Sequence, residues 1–144
     1  MVGRLFALGF GLVLLAGAPA QAGDTSAAEA CLRTKVWDGY AEGWGIRTMA
    51  TTTLNLGGTR NYLVTLYKGN EYKIETCGDD HFANVDVYLY DLAGQVVRRD
   101  ETSNRQPVIT FTPEKTATYY IVLHARELAA GSSDGSVSMA VTYR

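Results

Sequence analysis

Residues 85–91 read Val85-Asp86-Val87-Tyr88-Leu89-Tyr90-Asp91, and this heptad decides the fold class. Apolar and polar or aromatic residues alternate with a period of two, the signature of a β-strand with two unlike faces. Val87 and Leu89 share one face, and Tyr88 and Tyr90 share the other. One of those faces must be the core, because a one-residue slip would turn every side chain over.

The same texture extends in both directions. Upstream, Tyr72-Lys73-Ile74-Glu75-Thr76-Cys77 alternates again, with Gly69-Asn70 punctuating the run before it, Tyr62 to Tyr67. Thr51-Thr52-Thr53 leads into Leu54-Asn55-Leu56, closed by a turn at Gly57-Gly58. Downstream, Ala93-Gly94 marks a turn before Gln95–Arg99, followed by Pro107–Phe111, Thr118–His124 and Val137–Tyr143. The small, polar stretch Leu128–Gly135 reads as a hairpin connection. About eight short strands at this spacing indicate an all-β chain folded as an antiparallel sandwich or barrel. No helix-length segment separates the strands, which argues against a parallel α/β sheet.

The N-terminal part has a different texture. Met1–Arg4 supplies a positive start, Leu5–Ala16 is an apolar and glycine run, and Ala20-Gln21-Ala22 is a small-x-small cleavage pattern. Residues 1–22 are therefore expected to be a removable secretory signal, the apolar run being short for a bilayer span. Position 18 is Ala, so the LAGA segment lacks the cysteine that lipidation needs. Cleavage of 22 of the 144 residues leaves 122, enough for one ordinary domain. Without Arg4 the formal charge is −3, from 12 basic and 15 acidic residues. Nothing in that balance points to nucleic acid or an anionic membrane as partner. No other segment is apolar enough to cross a membrane.

Residues 23–45 form a helical, Trp-rich segment. Good helix formers, a possible cap at Thr25 or Ser26 and Glu29 in the first turn predict a helix over about 26–38. Gly39, Gly43 and Gly45 each disfavour continuation by about 1 kcal/mol relative to Ala. The only two cysteines, Cys31 and Cys77, are expected to pair in an oxidising compartment. Their bond would tie this helix to the strand ending at Cys77, so that it covers an edge or end of residues 46–144. Two cysteines and two histidines (His81, His124) at unrelated spacings make no zinc pattern.

The stretch from Tyr62 to Tyr143 resembles the bacterial pre-peptidase C-terminal domain family. The resemblance rests on Lys68-Gly69-Asn70-Glu71-Tyr72-Lys73-Ile74, the heptad 85–91, Ala93-Gly94-Gln95-Val96-Val97, Ile109-Thr110-Phe111-Thr112-Pro113 and Ala117–Val122, in that order. It implies a jelly-roll β-sandwich acting as a non-catalytic module of exported proteins, some collagenase relatives of which bind collagen and calcium. Two features depart from the pattern: there is no protease domain, and the Trp-rich segment with its cysteine is additional.

No catalytic arrangement is legible. There is no G-x-S-x-G elbow, no H-E-x-x-H and no phosphate loop. His124 reads as a hydrogen-bonded structural histidine in an apolar strand, and His81 as a solvated loop residue. The most suggestive polar cluster is 78–86, where Asp79, Asp80, Asn84 and Asp86 could give four oxygens to Ca2+. The competing reading is that Asp79 and Asp80 shape a turn and Asp86 makes a hydrogen bond at a strand start. Trp37, Tyr40 and Trp44 are the candidate ligand platform. Against it stands a structural role, since Trp37 and Trp44 are seven apart and would share a helical face that docks on the sandwich. The expected function is an exported, periplasmic or extracellular, non-catalytic module that binds a protein, polysaccharide or cell-envelope partner. A structural or chaperone-like role through a sheet edge or the Trp segment is the alternative, and a small hydrolase the remote one.

Overall fold

A computed structural model describes residues 24–144; the expected signal peptide, residues 1–22, lies outside them. One helix, α1 (Ser26–Ala41), precedes eight strands. These are β1 (Gly45–Asn55), β2 (Thr59–Leu66), β3 (Tyr72–Gly78), β4 (Phe82–Asp91), β5 (Val96–Asp100), β6 (Val108–Phe111), β7 (Ala117–Leu128) and β8 (Asp134–Tyr143). They form two four-stranded antiparallel sheets, ordered β1-β8-β3-β6 (sheet A) and β2-β7-β4-β5 (sheet B). Consecutive strands alternate between the sheets over much of the chain, which is the jelly-roll order.

The alternation in the sequence resolves into two inner faces. From β4, Val85, Val87 and Leu89 are wholly buried; Tyr88 and Tyr90 point outward. They meet Ile121 and Leu123 of β7 on their own sheet, and Ile74, Val137, Met139 and Val141 from sheet A. Burying one such aliphatic side chain stabilises the fold by roughly 1.5–3 kcal/mol. Phe82 closes one end of this core by lying over Gly135, where a Cβ would come within 2.6 Å of its ring. Any larger residue at 135 would displace that ring.

β8 is buried on both faces because α1 lies on the outer side of sheet A. Its outward residues are small: Ser136, Ser138, Ala140 and Thr142. Leu32 and Val36 of α1 pack there against Ala140 and the Cys31–Cys77 disulfide. The helix thus covers a sheet face; the edge or end position expected from the sequence is not what forms. It also runs three residues beyond the expected end at 38. Gly39 is buried, and a Cβ there would touch the Trp44 side chain at 3.6 Å. Packing of this last turn offsets the poor intrinsic helix propensity of glycine.

At the other side of the sandwich, Asp100 joins β5 to β6. Its carboxylate accepts hydrogen bonds from the Thr102 N–H and hydroxyl and from the Val108 N–H. Burial alone would raise its pKa, but the Thr102 and Val108 donors outweigh it and hold the carboxyl below its ordinary value. A depressed folded-state pKa contributes stability above the unfolded carboxylate range, lost as pH falls through the folded value. Asp100→Asn is therefore expected to lower the melting temperature at neutral pH, with the gap to wild type closing as the acid limb is reached. A constant gap down to acid unfolding would contradict this.

The disulfide closes a loop of sequence separation 46, worth about 4 kcal/mol at most in the chain-entropy picture. Reduction is expected to lower the melting temperature and to release α1 amides to hydrogen exchange before those of sheet B. Retention of full α1 protection in the reduced protein would show that packing alone holds the helix.

Candidate functional site

Helix α1 covers only sheet A, so among the described residues no helix lies on the outer face of sheet B. Register fixes what that face presents. One cross-strand row runs Leu63, Tyr120, Tyr90 and Val96, contributed by β2, β7, β4 and β5. The next runs Asn61, Val122, Tyr88 and Arg99, and a third Thr59, His124 and Asp86. Leu63 is 64% exposed; Tyr120 and Val96 are exposed, and Tyr88, Tyr90 and Val122 half-buried. The Tyr88 and Tyr90 rings stand 5.9 Å apart, tilted by 30°. The result is a continuous aromatic and aliphatic band with polar margins, built from inflexible strand positions. In the sequence its only signal was the outward period of β4; the contributions of Leu63, Val96 and Tyr120 depend on pairing between distant strands.

The band ends in a polar cavity of about 590 Å³ lined by Asn84, Asp86, Glu101, Ser103, Arg126 and Glu127. The Tyr88 hydroxyl donates to Glu101 Oε1 at 2.7 Å and lies 3.4 Å from Asp86 Oδ2. Burial, reinforced by these two carboxylates, pushes the Tyr88 phenol well above its ordinary pKa, so it stays protonated. His124 Nδ1 is 3.6 Å from Asp86 Oδ2. The imidazole thus faces the open side of sheet B beside a carboxylate and makes no hydrogen bond among the described residues, unlike the hydrogen-bonded structural histidine expected from its strand pattern.

The four oxygen donors of the acidic loop do not share one site. Asp79 is buried and committed: its two carboxylate oxygens accept from the His81 and Ser136 N–H groups, tying the loop to β8. Asp80 is exposed, 4.0 Å from His81 Nε2. Only Asn84 and Asp86 line a common cavity. Among the described residues no three His, Cys, Asp or Glu side chains stand together as a metal ligand set.

The Trp-rich segment also divides. Trp37 and Tyr40, each 66% exposed, make an edge-to-face pair on the outer side of α1. Trp44 lies beyond the helix end and is 5% exposed. Its ring is held between Lys73 Nζ and Arg144 Cζ, each 4.5 Å from the centroid. The shared helical face expected from the seven-residue spacing therefore does not exist, because the helix stops at Ala41. Of the three aromatic residues, Trp44 is the one packed against sheet A.

No protein-family model and no curated protein matches the sequence. Among solved structures, the chain is similar to PliG of Aeromonas hydrophila, a periplasmic lysozyme inhibitor of g-type lysozyme. That likeness has TM-score 0.51 and 12% identity, and covers 67% of this chain and 85% of that one. It is also similar to the pre-peptidase C-terminal domain of collagenase from Bacillus anthracis, with TM-score 0.52 and 16% identity, covering 67% and 90%. At such identities the likeness is one of fold, and the sandwich implied by residues 62–143 is the fold observed.

The two tryptophans should report their separate roles. Acrylamide is expected to quench Trp37 emission in a Trp44→Phe background and to leave Trp44 largely unquenched in a Trp37→Phe background. Trp44→Ala is expected to destabilise by about 3–5 kcal/mol, and Trp37→Ala by no more than about 0.5 kcal/mol. Equal costs would contradict the assignment.

Proposed function

We propose that the chain is an exported, non-catalytic module that binds a protein partner through the outer face of sheet B. The observation that carries this reading is the row Leu63–Tyr120–Tyr90–Val96 on the outer face of sheet B, which no helix among the described residues covers. Tyrosines fixed on strands supply large contact area and a polar tip at little entropic cost, the chemistry enriched at interface cores. The Cys31–Cys77 bond supports an oxidising compartment, hence the periplasm or the extracellular space. A fold shared with a lysozyme inhibitor and with a domain appended to a collagenase is compatible with an accessory role. The inhibitor is itself a protein whose partner is a protein, which favours a protein over a polysaccharide here. The Trp37–Tyr40 pair is the second exposed aromatic feature, but it covers two residues of one helix where the sheet presents rows across four strands.

The test pairs a defined partner with a surface control. Purified mature protein is titrated against g-type lysozyme and against soluble peptidoglycan fragments, alongside Tyr90→Ala/Tyr120→Ala and Trp37→Ala/Tyr40→Ala variants. A photo-crosslinking residue at position 63 is examined in the native cell envelope, with one at position 33 as control. Protein adducts at 63 but not 33, and binding weakened tenfold or more by the tyrosine pair alone at unchanged melting temperature, are the expected results. Sugar binding unaffected by the tyrosine pair, with no protein adduct at 63, would overturn the reading.

A further inference from the structure

We propose that the cavity at the end of the sandwich where β1 begins and β8 ends binds an acidic sugar residue, its carboxylate on the Arg47 guanidinium and its ring against the tyrosines beside it. The site is independent of the reading of sheet B as a docking surface. About 270 Å³ in volume, it is lined by Ile46 and Arg47 of β1, Tyr67 just after β2, Asn70, Tyr72 of β3 and Tyr143 of β8. Ile46, Tyr67 and Tyr143 are 50%, 47% and 38% exposed and Arg47 is exposed, so these groups are open to an incoming molecule.

An irregularity of the backbone builds this cavity. The β1–β8 register passes from Ile46↔Thr142 to Thr48↔Val141, which leaves Arg47 as the extra residue of a β-bulge. In a regular strand neighbouring side chains point to opposite faces; with the bulge, Ile46 and Arg47 line one cavity. Arg47 Cζ stands 5.6 Å from the Tyr67 ring centroid, and its guanidinium makes no ion pair or hydrogen bond among the described residues. Tyr143 lies across Gly45, where a Cβ would come within 3.1 Å of its ring. The Tyr67 N–H and Asn70 Nδ2 both donate to the Tyr72 hydroxyl. That bond orients the Asn70 amide and leaves its oxygen as a free acceptor.

The lining selects the ligand. Arg47 is the one lining residue with a formal charge, and a planar guanidinium fork matches a single carboxylate. A phosphate or a peptide C-terminus is held by several cations or by clustered backbone N–H groups. Here the Tyr67 N–H is already committed to Tyr72, and no second cation lines the cavity among the described residues. A sugar ring presents C–H groups on its faces and hydroxyls at its edge, and so fits aromatic faces flanked by neutral hydroxyl and amide groups. A volume below the ~300–1,000 Å³ of drug-sized sites suits one such ring.

The test is an NMR titration of 15N-labelled mature protein with methyl β-D-glucuronide and with N-acetylmuramic acid, two sources of the same chemistry. Methyl β-D-glucoside and N-acetylglucosamine, the corresponding rings without the carboxylate, are run in parallel, as is N-acetyl-leucine, a carboxylate without a sugar. Saturable amide shifts at Ile46, Arg47, Asn70 and Tyr143 are expected at about millimolar acidic sugar, with each control at least tenfold weaker. The acid that binds more tightly names the source, uronic or muramic. Arg47→Gln should lose at least tenfold in affinity at unchanged melting temperature, and Tyr67→Ala a few-fold. Both positions are exposed and outside the core, so the variants stay folded. Neutral sugars that match the acids, or full affinity in Arg47→Gln, overturn the proposal. N-acetyl-leucine matching the sugars overturns it as well, by making the cavity a site for peptide carboxylates, and so does a lack of saturable shifts with both acids. The rows of sheet B share no residue with this cavity, so either reading can fail while the other stands.

Discussion

The bond between Cys31 and Cys77 sets the asymmetry on which the rest depends. Cys77 points outward from β3, so a helix tethered to it must lie on the outer face of sheet A. The surface beneath answers that position: Ser136, Ser138 and Ala140 of β8 are small, and Leu32 and Val36 press onto Ala140 and the disulfide. Two identical-looking sheet faces thereby become unlike. One is a second, small core; the other keeps its outward tyrosines in contact with solvent.

Trp44 completes the same arrangement from the far end of the helix. An indole between the Lys73 ammonium and the Arg144 guanidinium combines burial with two cation–π contacts. It joins the chain just after α1 to β3 and to the last residue of the chain. Lys73 also faces Glu75 at 3.4 Å on the same strand, so the outer side of sheet A is partly polar yet screened from water. This side is spent on holding the helix, which is why recognition is assigned to the opposite sheet.

On that opposite sheet, order follows the strand direction. Hydrophobic and aromatic rows occupy the middle, where β2, β7, β4 and β5 are all paired. Charged groups gather where β4 begins and the 101–107 connection returns. Asp79 and Asp86, seven residues apart, illustrate how burial separates roles. Asp79 spends both oxygens on backbone N–H groups and fixes the loop, while Asp86 keeps one buried oxygen without a hydrogen-bond partner among the described residues.

The periodic features are legible in the amino-acid order. Alternation at Val85–Leu89 and Tyr72–Cys77 marked strands; eight such runs without intervening helices made the chain a sandwich or barrel; the resemblance over 62–143 narrowed it to a jelly roll. The cysteine count named the disulfide. These are local or combinatorial properties, fixed by a two-residue repeat and by there being one possible pair. Tertiary structure alone decided which side of β4 is core, that α1 covers a face, that Trp37 and Trp44 part company, and that Asn84 and Asp86 meet Glu101 and Glu127. Each depends on which distant strands pair and in what register, and a sequence period specifies a face without saying what lies across from it.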